Sequence, residues 1–222
     1  MMCPRPDNAT AHTAKAGPGR PKDLGKRAAI LDAAKRLFIQ SGFDGTSMDQ
    51  IATEAGVSKL TVYSHFGDKE SLFSAAIRAK CEEQMPPTLF LSGLEGNLRE
   101  QLSAIARAFF TLITSEEAIG MHRMMMAPGT GDSHVRELFW QAGAQAVKDA
   151  LTEFLRVRVA RGELVIADLP GAASQFLCLV KGDLHMQLLC GICCGTTAAD
   201  MERHVAATVE LFLRGYAAER DR

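Results

Sequence analysis

The chain lacks any run of about eighteen apolar residues, so nothing in it reads as a membrane-spanning helix. Its opening stretch, MMCPRPDNATAHTAKAGPGRP, has no apolar centre and does not read as a secretory signal. The 6 cysteines form no secreted disulfide framework, so a reducing cytoplasm is the expected compartment. There is no G-x-S-x-G, no G-x-x-x-x-G-K-[S/T] phosphate loop, no G-x-G-x-x-G and no H-E-x-x-H. Gly131-Asp132-Ser133 has the letters of a hydrolase motif that needs a preceding strand, and no strand pattern precedes it. The chain is therefore expected not to be an enzyme and to hold no catalytic residue, cofactor or resident metal. Strand alternation and hairpin signals are absent throughout, which makes the fold class all-α. A net charge of −1 and a pI near 6.6 exclude a general nucleic-acid-packaging role, so any such contact has to be local.

What is present is a globular composition, 47% hydrophobic and 23% charged over 222 residues, enough for one or two domains. Basic residues gather near the start. Lys15, Arg20, Lys22, Lys26, Arg27, Lys35 and Arg36 face only Asp23 and Asp32 there. Residues 1–22, rich in Pro, Gly, Ala and Thr, are expected to be a disordered basic arm in the free protein.

The most informative stretch is TSMDQIATEAGVSKLTVYSHFGDK, residues 46–69. Ser47 can cap a short helix and Gln50 can complete a capping box, with Asp49 at the positive end of the helix dipole. Gly56 stops that helix, because a left-handed conformation costs glycine little. Ser58 then caps a second helix over 59–66. Val62 and Phe66, four apart, face inward, leaving Lys59, Thr61, Tyr63, Ser64 and His65 outside. Two short helices around a glycine turn form a helix-turn-helix, whose second helix enters the DNA major groove. Lys59 and Tyr63 suit phosphates; Thr61, Ser64 and His65 are short enough to reach base edges. An ordinary helical hairpin with polar faces is the competing reading.

Together with the helix before it, ILDAAKRLFIQSGFDGTSMDQIATEAGVSKLTVYSHFGDKESLF resembles the DNA-binding domain of the tetracycline-repressor (TetR) family over roughly residues 25–80. AAKRLF, SGFDGTSM, IATEAGVSKLTVYSHF and DKESLF all stand at the family's spacing. Leu60 departs from it, since many members carry a small residue there. The resemblance implies that Lys69, at the start of the next helix, approaches a phosphate. The expected DNA-binding set is Lys26, Arg27, Ser47, Ser58, Lys59, Leu60, Thr61, Tyr63, Ser64, His65 and Lys69. Residues 23–85 are the expected DNA-binding domain, with its motif at about 46–66.

Around that motif the apolar period predicts a first helix over 24–41, with Ile30, Leu31, Ala34, Leu37 and Phe38 inward. A fourth over 69–84, capped by Asp68, turns Leu72, Phe73, Ala76 and Ile77 inward. It is the only continuous link to the remainder and therefore the natural lever. Residues 86–96 mark a bend or boundary. Further helices are predicted from Asn97, from Ser115 to about Pro128, over about 134–161, from Asp168 to about Gly191 and from Thr197 onward, about nine in all. This half, 86–222, resembles the effector-binding and dimerisation domains of TetR-type regulators, in particular the AefR-like subgroup. That resemblance implies a homodimer paired through the last two helices, with Leu177, Val180, Leu184, Leu188, Val205, Val209, Phe212 and Leu213 as candidate interface residues.

Phe109, Phe110, Ile113, Met121, His122, Met125, Trp140, Gln175 and Phe176 are the candidate lining of a small-molecule pocket, apolar with a few polar handles. Plain core packing is the alternative for each. His185, Cys190, Cys193 and Cys194 lie within ten residues, with Cys178 one helix face away, so a thiol- or metal-responsive regulator is the second reading of function. The first is a sequence-specific DNA-binding repressor, released from a palindromic double-stranded operator by an unidentified small molecule. Catalysis is a distant third.

Overall fold

The computed structural model describes residues 23–91, 97–127, 133–193 and 195–218; the expected basic arm at 1–22 and most of the PGTGDS loop lie outside them. The first four helices begin where a side chain accepts from free backbone N–H groups. Asp23 does so for α1 (Leu24–Ser41), Ser47 for α2 (Met48–Glu54), Ser58 for α3 (Lys59–Phe66) and Asp68 for α4 (Lys69–Gln84). At Ser47 the box is complete, with the Gln50 side chain accepting from the Ser47 N–H at 2.8 Å. Gly42 at φ 73 and Gly56 at φ 64 close α1 and α2 in conformations that side chains resist.

Phe38, Phe43 and Phe73 form the centre of this N-terminal body, with ring centroids 5.0 to 5.9 Å apart. Thr46, 3% exposed, ties the α1–α2 turn by donating to Leu37 O and Gly42 O. The body is not sealed by its own helices. Met121, Met124, Val135 and Ala142, all beyond residue 85, complete its apolar core.

The remaining segments are α5 (Thr88–Leu91), α6 (Leu98–Thr114), α7 (Glu116–Met126), α8 (Ser133–Trp140), a π-helical turn (Gln141–Gln145), α9 (Ala146–Ala160), α10 (Leu169–Lys181), α11 (Leu184–Cys190) and α12 (Ala198–Tyr216). Among the described residues the only β pairing is an isolated bridge between Leu164 and Ala217, so the fold is all-α as expected. Leu102, Ile105, Leu151, Leu155, Phe176 and Val209 of α6, α9, α10 and α12 build the second core.

Three features depart from the expected nine helices and give twelve α segments among the described residues. The 134–161 helix is interrupted by the π turn, which sets Gly143 against α4. A Cβ on Gly143 would stand 3.2 Å from Ile77 Cγ2. The helix expected to run to Gly191 breaks at Gly182, φ 53, where His204 of α12 crowds the chain. Pro86 and Pro87 do not only bend the chain; their carbonyls accept from Leu89 and Phe90 and start α5.

The candidate interface set needs correction. Val180, Val205, Val209 and Phe212 are 2% exposed or less, and Leu177 and Leu188 are 7% and 9% exposed, all within one subunit. Side chains already withdrawn from water have no further area to bury against a partner. Leu184 and Leu213 are half-buried against the same core. The large apolar side chains that α10, α11 and α12 leave exposed are Leu179, Met186 and Leu211.

Arg158 is the one buried cation of the second core, 1% exposed. It donates to Glu163 at 2.8 and 3.1 Å and to the Gln101 side chain, and it lies over the Phe154 ring. Its counter-ion is better solvated than it is. Glu163→Gln should therefore cost about 3 kcal/mol in urea unfolding, because it strands a buried guanidinium, and Arg158→Met should cost less. The reverse order would mean that packing, and not the charge pair, sets the stability of this corner.

Candidate functional site

Val62 and Phe66, 0% and 8% exposed, pin α3 to the body, so positions 59, 60, 63 and 64 lie on its opposite side. Leu60 is 78% exposed and Tyr63 42%. The Lys59 ammonium meets the Asp49 carboxylate at 2.9 Å, and that hydrogen bond holds the lysine's pKa above its ordinary value. Ser64 donates to Thr61 O at 2.8 Å. Thr61 shares a 2.8 Å hydroxyl contact with Ser58, so it belongs partly to the helix cap, as Ser47 and Ser58 do. Lys26 is exposed 3.8 Å from Asp23, and the Arg27 guanidinium lies 5.3 Å from the Phe66 ring centre.

Two of the expected set sit deeper. His65 is half-buried, and its Nδ1 is enclosed with no hydrogen-bond partner among the described residues. Lys69 donates to Phe43 O at 3.0 Å and Thr46 O at 3.1 Å, and its ammonium stands 4.2 Å from the Phe43 ring centre. It braces the α1–α2 turn, a contact 26 residues away in sequence and so not visible in any local pattern.

A second site opens where the two bodies meet. A cavity of about 190 Å³ is lined by Ile39 of α1, Ala76, Ile77, Lys80 and Cys81 of α4, and residues of α6, α7, α8, the π turn, α9 and α10. Of the candidate pocket residues, Phe109, Ile113, Met121, His122 and Trp140 line it. Phe110 turns away toward His204, Phe176 packs on Phe212, Gln175 accepts from the Tyr216 hydroxyl, and Met125 joins the N-terminal core. The lysines Lys35, Lys80, Lys148 and Lys181 at its walls are not in the expected set. The signal for them was charge on otherwise apolar faces, most visibly Lys148 beside Val147 and Lys181 four residues after Leu177.

Beside the cavity the rings of His122 and His185 meet edge to face, 5.2 Å apart. Each Nδ1 is near a carbonyl, Ala118 O at 2.7 Å for His122 and Ile113 O at 3.1 Å for His185. Burial lowers both pKa values, and for His185 burial and the His122 ring bring it to about 4. His185 is thus a neutral packing residue. Among the described residues no three His, Cys, Asp or Glu side chains form a possible metal set. Cys190 is exposed, Cys178 lies at the cavity, and Cys194 is outside the described residues. No helix of the described residues is long and apolar enough to cross a membrane.

Comparison with known proteins gives two family matches. Residues 30–76 match the bacterial regulatory proteins of the tetR family, and residues 100–218 match the C-terminal domain of AefR-like transcriptional repressors. The chain is 30% identical over 175 residues to the HTH-type transcriptional repressor ComR of Escherichia coli (strain K12), covering 74% of this chain and 80% of that one. It is 37% identical over 68 residues to the HTH-type regulator YdeS of Bacillus subtilis (strain 168), 31% of this chain and 34% of that protein's length. The solved structure of the flavonoid-responsive regulator FrrA superposes with a TM-score of 0.67 at 31% identity, covering 89% of this chain and 100% of that one.

The histidine pair gives a measurable pH dependence. A depressed folded-state pKa means that the unfolded chain binds the proton better, so stability is full above about 6.5 and falls as pH drops toward about 4. Urea unfolding across that window should show a shallower loss of stability for His185→Leu than for the wild type. Parallel slopes would mean that His185 is not held neutral.

Proposed function

We propose that this chain, which belongs to the TetR family of bacterial regulatory proteins, is a homodimeric repressor that leaves its operator when a small effector enters the cavity between its two bodies. The observation that carries the proposal is the composition of the cavity wall. Ile39, Ala76 and Ile77 belong to the helices that carry the DNA-reading surface, while Phe109, Val147 and Leu177 belong to the C-terminal body. An occupant therefore pushes on α4 directly, with no intervening relay. Close packing makes such a contact respond to small displacements. A coupling of ~1–3 kcal/mol, about 5–150-fold in operator affinity, is the usual scale.

On DNA, α3 reads the major groove. Leu60 offers an apolar surface suited to thymine methyl groups, Ser64 and Tyr63 supply polar contacts, and Lys59 and the arm-side Lys26 and Arg27 take phosphates. Each good base contact discriminates by only ~1–3 kcal/mol, so two copies on a two-fold axis are needed, at half-sites about one helical turn apart or a multiple of it. The exposed Leu179 and Leu211 of α10 and α12 are the apolar residues available for that pairing. The protein acts in the cytoplasm and catalyses no reaction. The relative ComR is a repressor by name, and FrrA by name responds to flavonoids, which supports a small ring-bearing effector here.

Gly143→Leu tests the proposal. The added side chain projects toward Ile77 and into the cavity, imitating an occupant. Using an operator obtained by selection from random-sequence DNA, fluorescence anisotropy should show about 5–150-fold weaker binding without any effector. Wild-type operator affinity in Gly143→Leu would sink the cavity's role.

Lys69 has one N–H left for a phosphate, since an ammonium has three and two are spent on carbonyls. Lys69→Met should lower the slope of log affinity against log salt by about one and also cost about 1–3 kcal/mol of stability. A lost brace with an unchanged salt slope would leave Lys69 a structural residue only.

A further inference from the structure

The proposed effector site has a charge pattern that bears on what it takes. Four lysines reach its walls, Lys35, Lys80, Lys148 and Lys181, against one carboxylate, Glu117. Two are already matched: Lys35 lies 2.9 Å from Asp32, and Lys80 pairs with Glu117. Among the described residues Lys148 and Lys181 have no carboxylate partner, and both are half-buried. Their placement follows from helical period. Ala144, Val147 and Lys148 share one face of the π turn and α9, and Ser174, Leu177, Cys178 and Lys181 share one face of α10, each turned to the cavity. The remaining lining is apolar and aromatic, including Phe109, Phe139 and Trp140.

The size is also restrictive. About 190 Å³ is a little more than the ~150 Å³ cavity that holds benzene, so one ring with a short arm fills it. A neutral occupant of that size would cover part of Lys148 and Lys181 without giving them a partner, which is unfavourable beside an apolar wall. An occupant carrying one negative charge pairs with them and buries its ring among the aromatic side chains.

Resting on the cavity being the effector site, we propose that the effector is a small monocyclic carboxylate, with its carboxylate held by Lys148 and Lys181 and its ring seated against Phe109, Phe139 and Trp140. Trp140 is the only tryptophan of the chain, so its fluorescence reports occupancy directly. The probes are phenylacetate, 3-phenylpropionate and cyclohexanecarboxylate, each titrated into the full-length protein beside its amide, which keeps the shape and loses the charge. The expected result is that the acids bind roughly 10- to 100-fold more tightly than the amides, the ratio given by a charge-assisted hydrogen bond. That gap should narrow as salt rises and collapse in Lys148→Met/Lys181→Met. Should the double variant fail to unfold cooperatively, the single Lys181→Gln and the wild-type salt series carry the same test. Acid and amide binding equally, or neither changing Trp140 emission, overturns the carboxylate class. A gap that persists in the double variant overturns the assignment to these two lysines. Acids that bind as expected yet leave the operator complex intact uphold this inference and reject the effector-release reading on which it builds.

Discussion

Two close approaches set how the halves of this molecule sit on each other. A Cβ on Gly120 of α7 would stand 3.0 Å from Ile39 of α1, and one on Gly143 of the π turn 3.2 Å from Ile77 of α4. Both glycines lie in helical backbone where an alanine would hold the helix better, so it is the absent side chain that brings the helices together. Ile39 and Ile77 then line the cavity as well as packing in the N-terminal core. The DNA-reading body borrows Met121, Met124, Val135 and Ala142 to finish that core, and it cannot shift without repacking them. The cavity and the DNA-binding domain thus share one apolar seam.

The electrostatics divide along the same seam. In the N-terminal body, cations are held in place by neighbours, Lys59 by Asp49 and Lys69 by two backbone carbonyls, which fixes their orientation in the free protein. A pre-oriented side chain loses less entropy on binding. On the cavity side, Lys35 and Lys80 are paired with carboxylates within the fold, while Lys148 and Lys181 stand at the apolar wall. The buried histidines beside them are driven to the neutral form, so they contribute shape there and little charge.

The DNA-reading half was legible because its rules are local. Asp23, Ser47, Ser58 and Asp68 cap within three residues of themselves, and Gly42 and Gly56 stop helices by their own backbone freedom. Val62, Phe66, Leu72 and Phe73 face inward by period alone. The second half was legible only as helices. Its apolar stripes are wide enough to serve a core or a partner, and period does not say which. Val180, Val205, Val209 and Phe212 went to the core, and the exposed Leu179 and Leu211 were not singled out.

By itself, then, the sequence determined the all-α class, the bounds of α1 to α4, the outward placement of Lys59, Tyr63 and Ser64 but not of Thr61 and His65, and the family, because each depends on contacts a few residues long. Tertiary structure alone decided the π turn at Gln141–Gln145, the break at Gly182, the bracing role of Lys69 and the meeting of Lys80, Trp140, Lys148 and Lys181 around one cavity. Those features arise where helices distant in the chain compete for the same space, and no periodicity within one helix records what another helix will press against it.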